Sequence, residues 1–360
     1  MCWIKKAVYL VIGWTIGLVI VLGAFELGLR SPFFKDPWGS TVQLNLVRNR
    51  TISYKVDELF QSKKSIVEYI RNEYGLRDSC SDSSKIDILT IGGSTTDQRY
   101  VPLKSTWQHI LQNKLSTQLT KSICVSNAGV DGHSTFGHLA SFEHWFPLIP
   151  DLQPKITLLY IGLNDANFHR TGANIGADVS NGTGYKGLLK TFQIVQALLP
   201  IWRMVVDLQT KLPYSGHFPR SFKQAEYVVK EANSTTQIKS FEHSIRFRDR
   251  LTKLLSYVEE TGAKPVCVTQ PHRFVKVIDG TPYGVADILG EGISGLDFDI
   301  SMRDLNKNIL QVCGKANTIQ LHDVLFKSDH FYDGVHNSSA GSEYIGVLLA
   351  DEFIKRGFML

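Results

Sequence analysis

Short apolar runs alternate with longer stretches of helical periodicity, and this alternation limits the possible folds more than any other feature. The runs are Ile86–Ile91, Ile123–Ser126, Ile156–Ile161, Pro265–Thr269 and Thr318–Leu321. Runs this continuous are typical of strands buried on both faces of a parallel sheet. Helices are predicted over Ser105–Leu119 with Ser105 as N-cap, Thr135–Ile149, His243–Thr261, Ser301–Ala316 and Ser339–Arg356. The pattern predicts a three-layer α/β/α sandwich around a central parallel sheet of five strands.

The overall composition excludes several other classes of protein. Of the 360 residues, 43% are hydrophobic and 20% are charged, which excludes a disordered or low-complexity chain. The net charge of +5 is too small to indicate a nucleic-acid partner. The five cysteines form no C-x-x-C pair, so a zinc ribbon and a thioredoxin-like site are excluded. Their number is also odd and low for a disulfide framework.

An uncharged run of 19 residues, Ala7–Phe25, lies near the N-terminus. Its length as a helix nearly matches the roughly 30 Å hydrocarbon core of a bilayer. Lys5 and Lys6 precede it, which favours an N-terminus inside and a body on the extracytoplasmic side. The run is longer than the apolar region of a typical signal peptide, and Leu22–Ala24 matches a cleavage site poorly. We therefore expect an uncleaved, single-pass signal-anchor, with a cleaved signal peptide as the alternative.

Composition along the chain predicts three parts. Residues 1–30 hold the membrane segment, residues 31–80 form a mixed, polar connector, and residues 81–360 form the main domain. Within this domain, an insertion covers about residues 168–242 and contains the apolar stretch Gly187–Leu212, which Pro200 interrupts. From Phe168 to Arg250 there are 12 Lys or Arg against 6 Asp or Glu. The apolar stretch is compatible with two interpretations, a cap helix packed on the domain and a lid or membrane-facing helix. The basic charge of Phe168–Arg250 is compatible with a solvated face, and also with a surface that attracts an anionic glycan or an anionic lipid surface.

Four polar, glycine-containing segments follow the predicted strands or lie near the C-terminus. They are Gly92–Thr96, Asn127–Gly132, Gly162–Asp165 and Asp333–His336. In an open α/β sheet, ligands bind beyond the carboxyl ends of the strands. We therefore expect the four segments to converge on one edge of the sheet.

In their order and positions, these segments resemble the SGNH (GDSL-like) hydrolase family, and the resemblance runs from Asn72 to about Arg356. It implies a flavodoxin-like three-layer fold and esterase activity. Asn72–Asp78 also resembles a segment found before the first block in bacterial exported members. The resemblance assigns these roles: Ser94 is the nucleophile, Gly132 and Asn164 contribute to an oxyanion hole, and Asp333 and His336 are the acid and the base.

The first block departs from the family pattern at two positions. It usually reads Gly-Asp-Ser, and here Gly93 stands in place of the Asp. Thr95 stands in place of a Leu, a change that variants of this block commonly carry.

The residue types also suit ester cleavage on chemical grounds. Such a reaction needs a nucleophile, a base that takes its proton and a group that orients the base. The backbone N–H groups of Ser94 and Gly132 and the side-chain amide of Asn164 can donate to an oxyanion. The neighbouring Asp165 cannot donate when ionised, and we expect it to cap its own loop.

Two other groups of ionisable residues could compete with this site. Asp329, His330, Asp333 and His336 match no common zinc spacing, so neither metal nor cofactor is expected. His322 and Asp323 are adjacent in a segment that we expect to be extended, where side chains point oppositely, so no pairing is predicted.

The two cysteines within predicted strands, Cys124 and Cys267, lie about 14 Å apart if the strand order is 2-1-3-4-5. That is too far for a disulfide, and both are predicted to be core thiols. A bond between Cys80 and Cys313 stays open.

The sequence thus predicts a membrane-anchored serine esterase that removes O-acetyl groups from extracytoplasmic carbohydrates. An O-acyltransferase shares the first half-reaction and is the main alternative. A lipase or lysophospholipase and a catalytically silent glycan-binding or assembly factor are further alternatives. The expected partners are an acylated small-molecule or glycan substrate and a membrane, with no nucleic acid.

Overall fold

The computed structural model describes residues 2–29, 38, 41, 44–60, 65–78, 80–166, 212–213, 226–228, 234–288 and 293–359. The chain divides into two compact units. The first contains Met1–Val42 and Ser180–Thr210, and the second contains Gln43–Val179 and Lys211–Leu360. The predicted helix Gly187–Leu212 and almost all of the insertion lie outside the described residues.

In the first unit, helix α1 spans Cys2–Leu29. Large apolar side chains are exposed on this helix from Trp14, with 79% of its surface exposed, to Leu27. Among the residues whose placement is described, no helix is both long and apolar enough to span a membrane.

The second unit contains the remaining described elements. Its strands are β1 (Arg50–Lys55), β2 (Ile66–Arg71), β3 (Ile88–Gly92), β4 (Val125–Asn127), β5 (Ile156–Tyr160), β6 (Leu212–Pro213), β7 (Tyr227–Val228), β8 (Lys264–Thr269), β9 (Val275–Ile278), β10 (Thr281–Val285) and β11 (Thr318–Gln320). Its helices are α2 (Ser94–Asp97), α3 (Trp107–Gln118), α4 (Thr135–His144), α5 (Leu163–Ala166), α6 (Ser234–Glu260), α7 (Gly295–Cys313) and α8 (Ser339–Lys355).

The central sheet has the strand order β11-β8-β5-β3-β4, and all of its neighbours are parallel. In the register, Ile88 of β3 lies opposite Val125 of β4 and Ile156 of β5. Each strand overlaps one of the five predicted apolar runs, and in chain order the arrangement is 2-1-3-4-5. The predicted α/β fold with a central parallel sheet is confirmed.

Helices cover both faces of this sheet because each presents an apolar stripe at helical spacing. On one face, Trp107 and Leu111 of α3 and Leu349 of α8 join the strand residues Leu158 and Val266 in one buried cluster. On the other face lie α6 and α7, which pack against each other and against β8. Strand residues alternate between these two layers, so the strands are buried on both sides.

The five helices predicted between the strands and at the C-terminus are present, but several of their ends differ. The N-cap of helix α3 is Thr106, one residue later than predicted, because Ser105 closes a 3₁₀ turn and the Thr106 side chain accepts the His109 N–H. Helix α4 ends at His144, where the chain enters a 3₁₀ turn containing Pro147. Helix α7 begins at Gly295 instead of Ser301, and Ser294 forms a capping box with Asp297 there.

Strands β1 and β2 form an antiparallel hairpin, within a stretch for which the sequence indicated only a connector. Its inward residues alternate with exposed ones, as expected for a strand pair with one buried face. Val67 and Tyr69 of β2 share a buried cluster with Tyr100, which follows α2, and Tyr332, which precedes Asp333. The hairpin therefore packs against the segments that flank the predicted catalytic residues.

Two disulfides link Cys80 to Cys124 and Cys267 to Cys313. The prediction that Cys124 and Cys267 are core thiols is wrong. The distance between the two strands excludes only a bond between Cys124 and Cys267 themselves. Each of them instead bonds a cysteine outside the sheet. Cys267 points to the face covered by α7 and meets Cys313 at the end of that helix, with a Cα–Cα distance of 6.3 Å.

We predict that replacing Cys267 and Cys313 together by Ala lowers the free energy of unfolding. The bond closes a loop between residues 46 positions apart, for which chain entropy gives a loss of about 4 kcal/mol. Urea unfolding followed by circular dichroism measures this, with Cys2→Ala as the control. An unchanged unfolding midpoint in the double variant would show that the bond does not stabilise the fold.

Candidate active site

Ser94 is the first residue of α2, directly after the turn that leaves β3. The turn is tight: a Cβ at Gly92 would collide with the Thr96 side chain and the Tyr160 carbonyl oxygen. The N–H groups of Thr96 and Asp97 both bond the Gly93 carbonyl oxygen, at 3.0 and 2.9 Å. The short helix therefore fixes Ser94 at the carboxyl edge of the sheet.

The structure brings Ser94, His336 and Asp333 into one hydrogen-bonded chain. His336 Nε2 lies 2.7 Å from Ser94 Oγ, and His336 Nδ1 lies 2.6 Å from Asp333 Oδ2. The other carboxylate oxygen, Oδ1, accepts the backbone N–H groups of Val335 and His336 at 2.9 and 2.7 Å. These two bonds fix the carboxylate, which in turn fixes the orientation of the imidazole.

Burial and charge act in opposite directions on the two ionisable groups of this chain. Burial lowers the pKa of His336, but the charge and hydrogen bond of Asp333 outweigh it and raise that pKa above its ordinary value. Burial raises the pKa of Asp333, and the charge of His336 together with the hydrogen bonds reverses this, so the pKa of Asp333 lies below its ordinary value. The site thus stabilises an imidazolium beside an ionised carboxylate.

The predicted oxyanion residues other than Ser94 lie on neighbouring segments. Asn164, in α5 after β5, donates from Nδ2 to the His133 carbonyl oxygen at 2.9 Å. Gly132 immediately precedes His133 and has a φ of +83°, which favours glycine. A Cβ at Gly132 would meet no atom within 4 Å, so the space beside it is open.

A family model described as GDSL-like lipase/acylhydrolase matches residues 88–349, more than half of the chain. The protein belongs to this family. It is an SGNH-type serine hydrolase that acts on ester bonds.

The solved structures that match this chain are distant. An acetyl xylan esterase, AlAXEase, is 13% identical, with a TM-score of 0.41 over 74% of this chain and 98% of the other. A G-D-S-L family lipolytic protein from Veillonella parvula is 15% identical, with a TM-score of 0.41 over 76% and 100%. An acetylxylan esterase from Geobacillus stearothermophilus is 13% identical, with a TM-score of 0.40 over 76% and 94%. No curated protein matches significantly. The family assignment therefore rests on the family model.

The geometry gives a physical reason for the departure from the family's Gly-Asp-Ser block. A Cβ at Gly93 would collide with Asn164 Nδ2 and would lie 3.0 Å from the His133 carbonyl oxygen. In this hydrolase the amide of Asn164 occupies the space that a side chain at position 93 would need. Gly93 and the position of Asn164 are therefore coupled.

The carboxylate of Asp165 bonds to elements beyond its own loop. Its carboxylate accepts the backbone N–H of Thr135 at 3.0 Å and the Thr135 hydroxyl at 2.6 Å, at the start of α4. Arg250 of α6 pairs with the same carboxylate at 3.3 Å. Asp165 thus joins three helices behind Asn164.

The prediction that His322 and Asp323 do not pair is also wrong. Their Nε2 and Oδ1 atoms lie 3.1 Å apart, because both residues lie in a turn after β11 instead of in an extended segment. His322 Nδ1 lies 2.8 Å from the hydroxyl of Thr269.

Among the four residues considered as a metal site, His330 packs its ring against Phe326 and Tyr344. Within the described ranges, no cluster of His, Cys, Asp and Glu could hold a metal ion.

Sequence reasoning missed the polar groups that support the nucleophile helix from the hairpin side. Arg77, which follows the hairpin, donates to the carbonyl oxygens of Asp97, Gln98 and Val101 at 2.8, 2.7 and 2.6 Å. Arg71, at the end of β2, pairs with the Asp97 carboxylate at 2.5 Å. The resemblance of Asn72–Asp78 to a family segment was a signal for Arg77. No sequence signal pointed to Arg71.

Proposed function

We propose that this hydrolase removes O-acetyl groups from extracytoplasmic carbohydrates through an acyl-enzyme on Ser94, with His336 and Asp333 as base and orienting acid. The observation that carries the proposal is the continuous chain of short contacts from Ser94 Oγ through His336 to Asp333. Family membership supports the ester chemistry. For the acyl group and its carrier, the support is the family resemblance and the export that we infer from the N-terminus.

In the proposed reaction, neutral His336 takes the Ser94 proton as Oγ bonds to the ester carbonyl carbon. The bond to the sugar oxygen then breaks, and the imidazolium returns its proton to that oxygen as the alcohol leaves. Water, deprotonated by the same imidazole, attacks the acyl carbon. The bond from that carbon to Ser94 Oγ breaks, the imidazolium returns its proton to Oγ, and acetate is released. Asp333 stays ionised throughout and stabilises the imidazolium, in agreement with the direction of both pKa shifts.

The tetrahedral intermediate carries a negative charge on the former carbonyl oxygen, which needs hydrogen-bond donors. We assign three: the backbone N–H groups of Ser94 and Gly132 and the side-chain amide of Asn164. One N–H of this amide bonds the His133 carbonyl oxygen, which orients the amide and leaves its second N–H for the oxyanion.

We predict that Ser94→Ala abolishes acetate release from acetylated polysaccharide and hydrolysis of p-nitrophenyl acetate. The variant lacks the Oγ that becomes acylated. Rates are compared with wild type and with Ser105→Ala, a serine at the end of a 3₁₀ turn before α3. Equal rates for Ser94→Ala and wild type would refute the nucleophile. Acetate release by wild type without a sugar acceptor would favour hydrolysis over acyl transfer.

We predict that Asn164→Ala lowers kcat by about 100- to 1000-fold, the typical effect of losing one oxyanion donor. Folding should stay intact because the side chain is only half-buried and makes one described hydrogen bond. Steady-state kinetics and circular dichroism measure the two effects. Wild-type turnover in a folded variant would remove Asn164 from the oxyanion hole.

We propose that the chain is held in a membrane by residues 1–30 and that its catalytic domain lies on the extracytoplasmic side. The uncharged run Ala7–Phe25, preceded by Lys5 and Lys6, supports both the span and its orientation. The two disulfides also support export, because such bonds persist in oxidising compartments.

For the anchor, we predict that the full chain stays in the membrane fraction after alkaline carbonate extraction. A chain that lacks residues 2–30 should be released. A mature N-terminus near Ala24, found by N-terminal sequencing, would instead identify a cleaved signal peptide.

A further inference from the structure

Arg71 is buried at the end of β2, and each of its five guanidinium N–H groups has an acceptor. Nε donates to the Tyr69 hydroxyl at 2.7 Å. Nη1 donates to the carbonyl oxygens of Gly75 and Asn127 at 2.8 and 3.2 Å. Nη2 donates to Asp97 Oδ1 at 2.5 Å and to the Gly129 carbonyl oxygen. Five donors in one rigid plane are a property of arginine that lysine, with three donors on one atom, lacks.

Three of these acceptors belong to the two segments that carry the proposed oxyanion donors. Asp97 closes the short helix that begins at Ser94. Asn127 and Gly129 lie on the segment that leads from β4 to Gly132. A single side chain from the hairpin therefore bridges the nucleophile helix and the Gly132 loop.

The same two segments are already in close backbone contact, so a small displacement of one would be transmitted to the other. A Cβ at Gly129 would collide with the backbone N of Asp97. The Asn127 amide donates to the Thr96 carbonyl oxygen at 2.7 Å, and its carbonyl accepts the Gly129 N–H at 2.8 Å. Arg71 adds a bridge from the hairpin, with an ion pair to Asp97 on one segment and hydrogen bonds to the carbonyl oxygens of Asn127 and Gly129 on the other.

The charges at this contact are mutually compensated. Burial raises the pKa of Asp97, but the charges of Arg71 and Arg99 outweigh it and hold that pKa below its ordinary value. Tyr69 adds a further hydrogen bond to Asp97 Oδ1 at 2.7 Å. An ionised carboxylate bound this way attracts the guanidinium strongly, and removing one partner leaves a buried charge without compensation.

We propose that Arg71 is a positioning residue for the oxyanion hole, setting the separation of the Ser94 and Gly132 N–H groups. This rests on the proposed function, in which both groups donate to the same oxyanion. Such donors must lie about 2.7–3.1 Å from the oxyanion, and a misplacement of about 1 Å costs about 100-fold in rate. Arg71 touches no substrate and acts through Asp97, Asn127 and Gly129.

The test compares Arg71→Lys with Val67→Ala in the purified full-length chain. Arg71→Lys keeps the charge and loses the planar fork. Val67→Ala weakens the buried cluster of the hairpin and leaves the guanidinium in place. With p-nitrophenyl acetate, well below either melting temperature, Arg71→Lys should lower kcat about 10- to 100-fold with KM within about twofold. Val67→Ala should melt at a lower temperature and keep wild-type kcat.

A transition-state analogue separates positioning from general loosening of the fold. Phenylboronic acid forms a tetrahedral anion on a serine Oγ, so its inhibition constant should rise in Arg71→Lys in parallel with the fall in kcat. Wild-type kcat and boronate inhibition in folded Arg71→Lys would overturn the proposal, and so would equal losses of kcat in Arg71→Lys and Val67→Ala. If Arg71→Lys does not fold, the test uses Tyr69→Phe, which removes the hydroxyl that accepts the Arg71 Nε–H. An unchanged kcat in Tyr69→Phe would overturn the proposal. Failure of the nucleophile assignment would appear separately, as boronate inhibition that survives Ser94→Ala.

Discussion

Backbone segments at the carboxyl edge of the sheet approach so closely that a Cβ at Gly92 or Gly129 would collide with backbone atoms of a neighbouring segment. The parallel order of β4, β3 and β5 creates this crowding, because their three exits lie side by side. Each proposed catalytic group lies on one of these exits or on the loop before α8. The site's geometry is therefore largely a property of backbone packing, with side chains fixing the last degrees of freedom.

Buried carboxylates do much of that fixing, and each is compensated differently. Asp333 faces an imidazole and two backbone N–H groups, whereas Asp165 accepts from the start of α4 and pairs with Arg250. Asp97 lies between two arginines from different parts of the chain. Breaking any one of these pairs would leave a charge in a poorly solvated place, which is costly. The same arrangement that stabilises the fold therefore also restricts movement around Ser94.

The central sheet was predictable because its signal is local. An apolar run such as Ile156–Ile161 can be recognised from six consecutive residues. The carboxyl ends of parallel strands then lie at one edge of the sheet by topology alone. The segment around Ser94 and the segment that ends at His336 were also recognised because each is a short run of consecutive residues. The partners of Asp165 and Cys267 were not, because Thr135, Arg250 and Cys313 are distant in sequence and are selected by helix packing. The hairpin was missed because its apolar residues alternate with polar ones, so its composition is mixed overall. Arg71 depends on that hairpin and could not be assigned without it.

The disulfides follow chain order: Cys80 bonds the next cysteine, Cys124, and Cys267 bonds the next one, Cys313. In a chain held by an N-terminal anchor, the residues after the anchor would reach the far side of the membrane in sequence order, so the native partner of each of these thiols is the nearest one in time as well as in sequence. Oxidation during translocation would then yield the correct pairs without later reshuffling. A catalyst of thiol oxidation would suffice for maturation, and a disulfide isomerase would be dispensable.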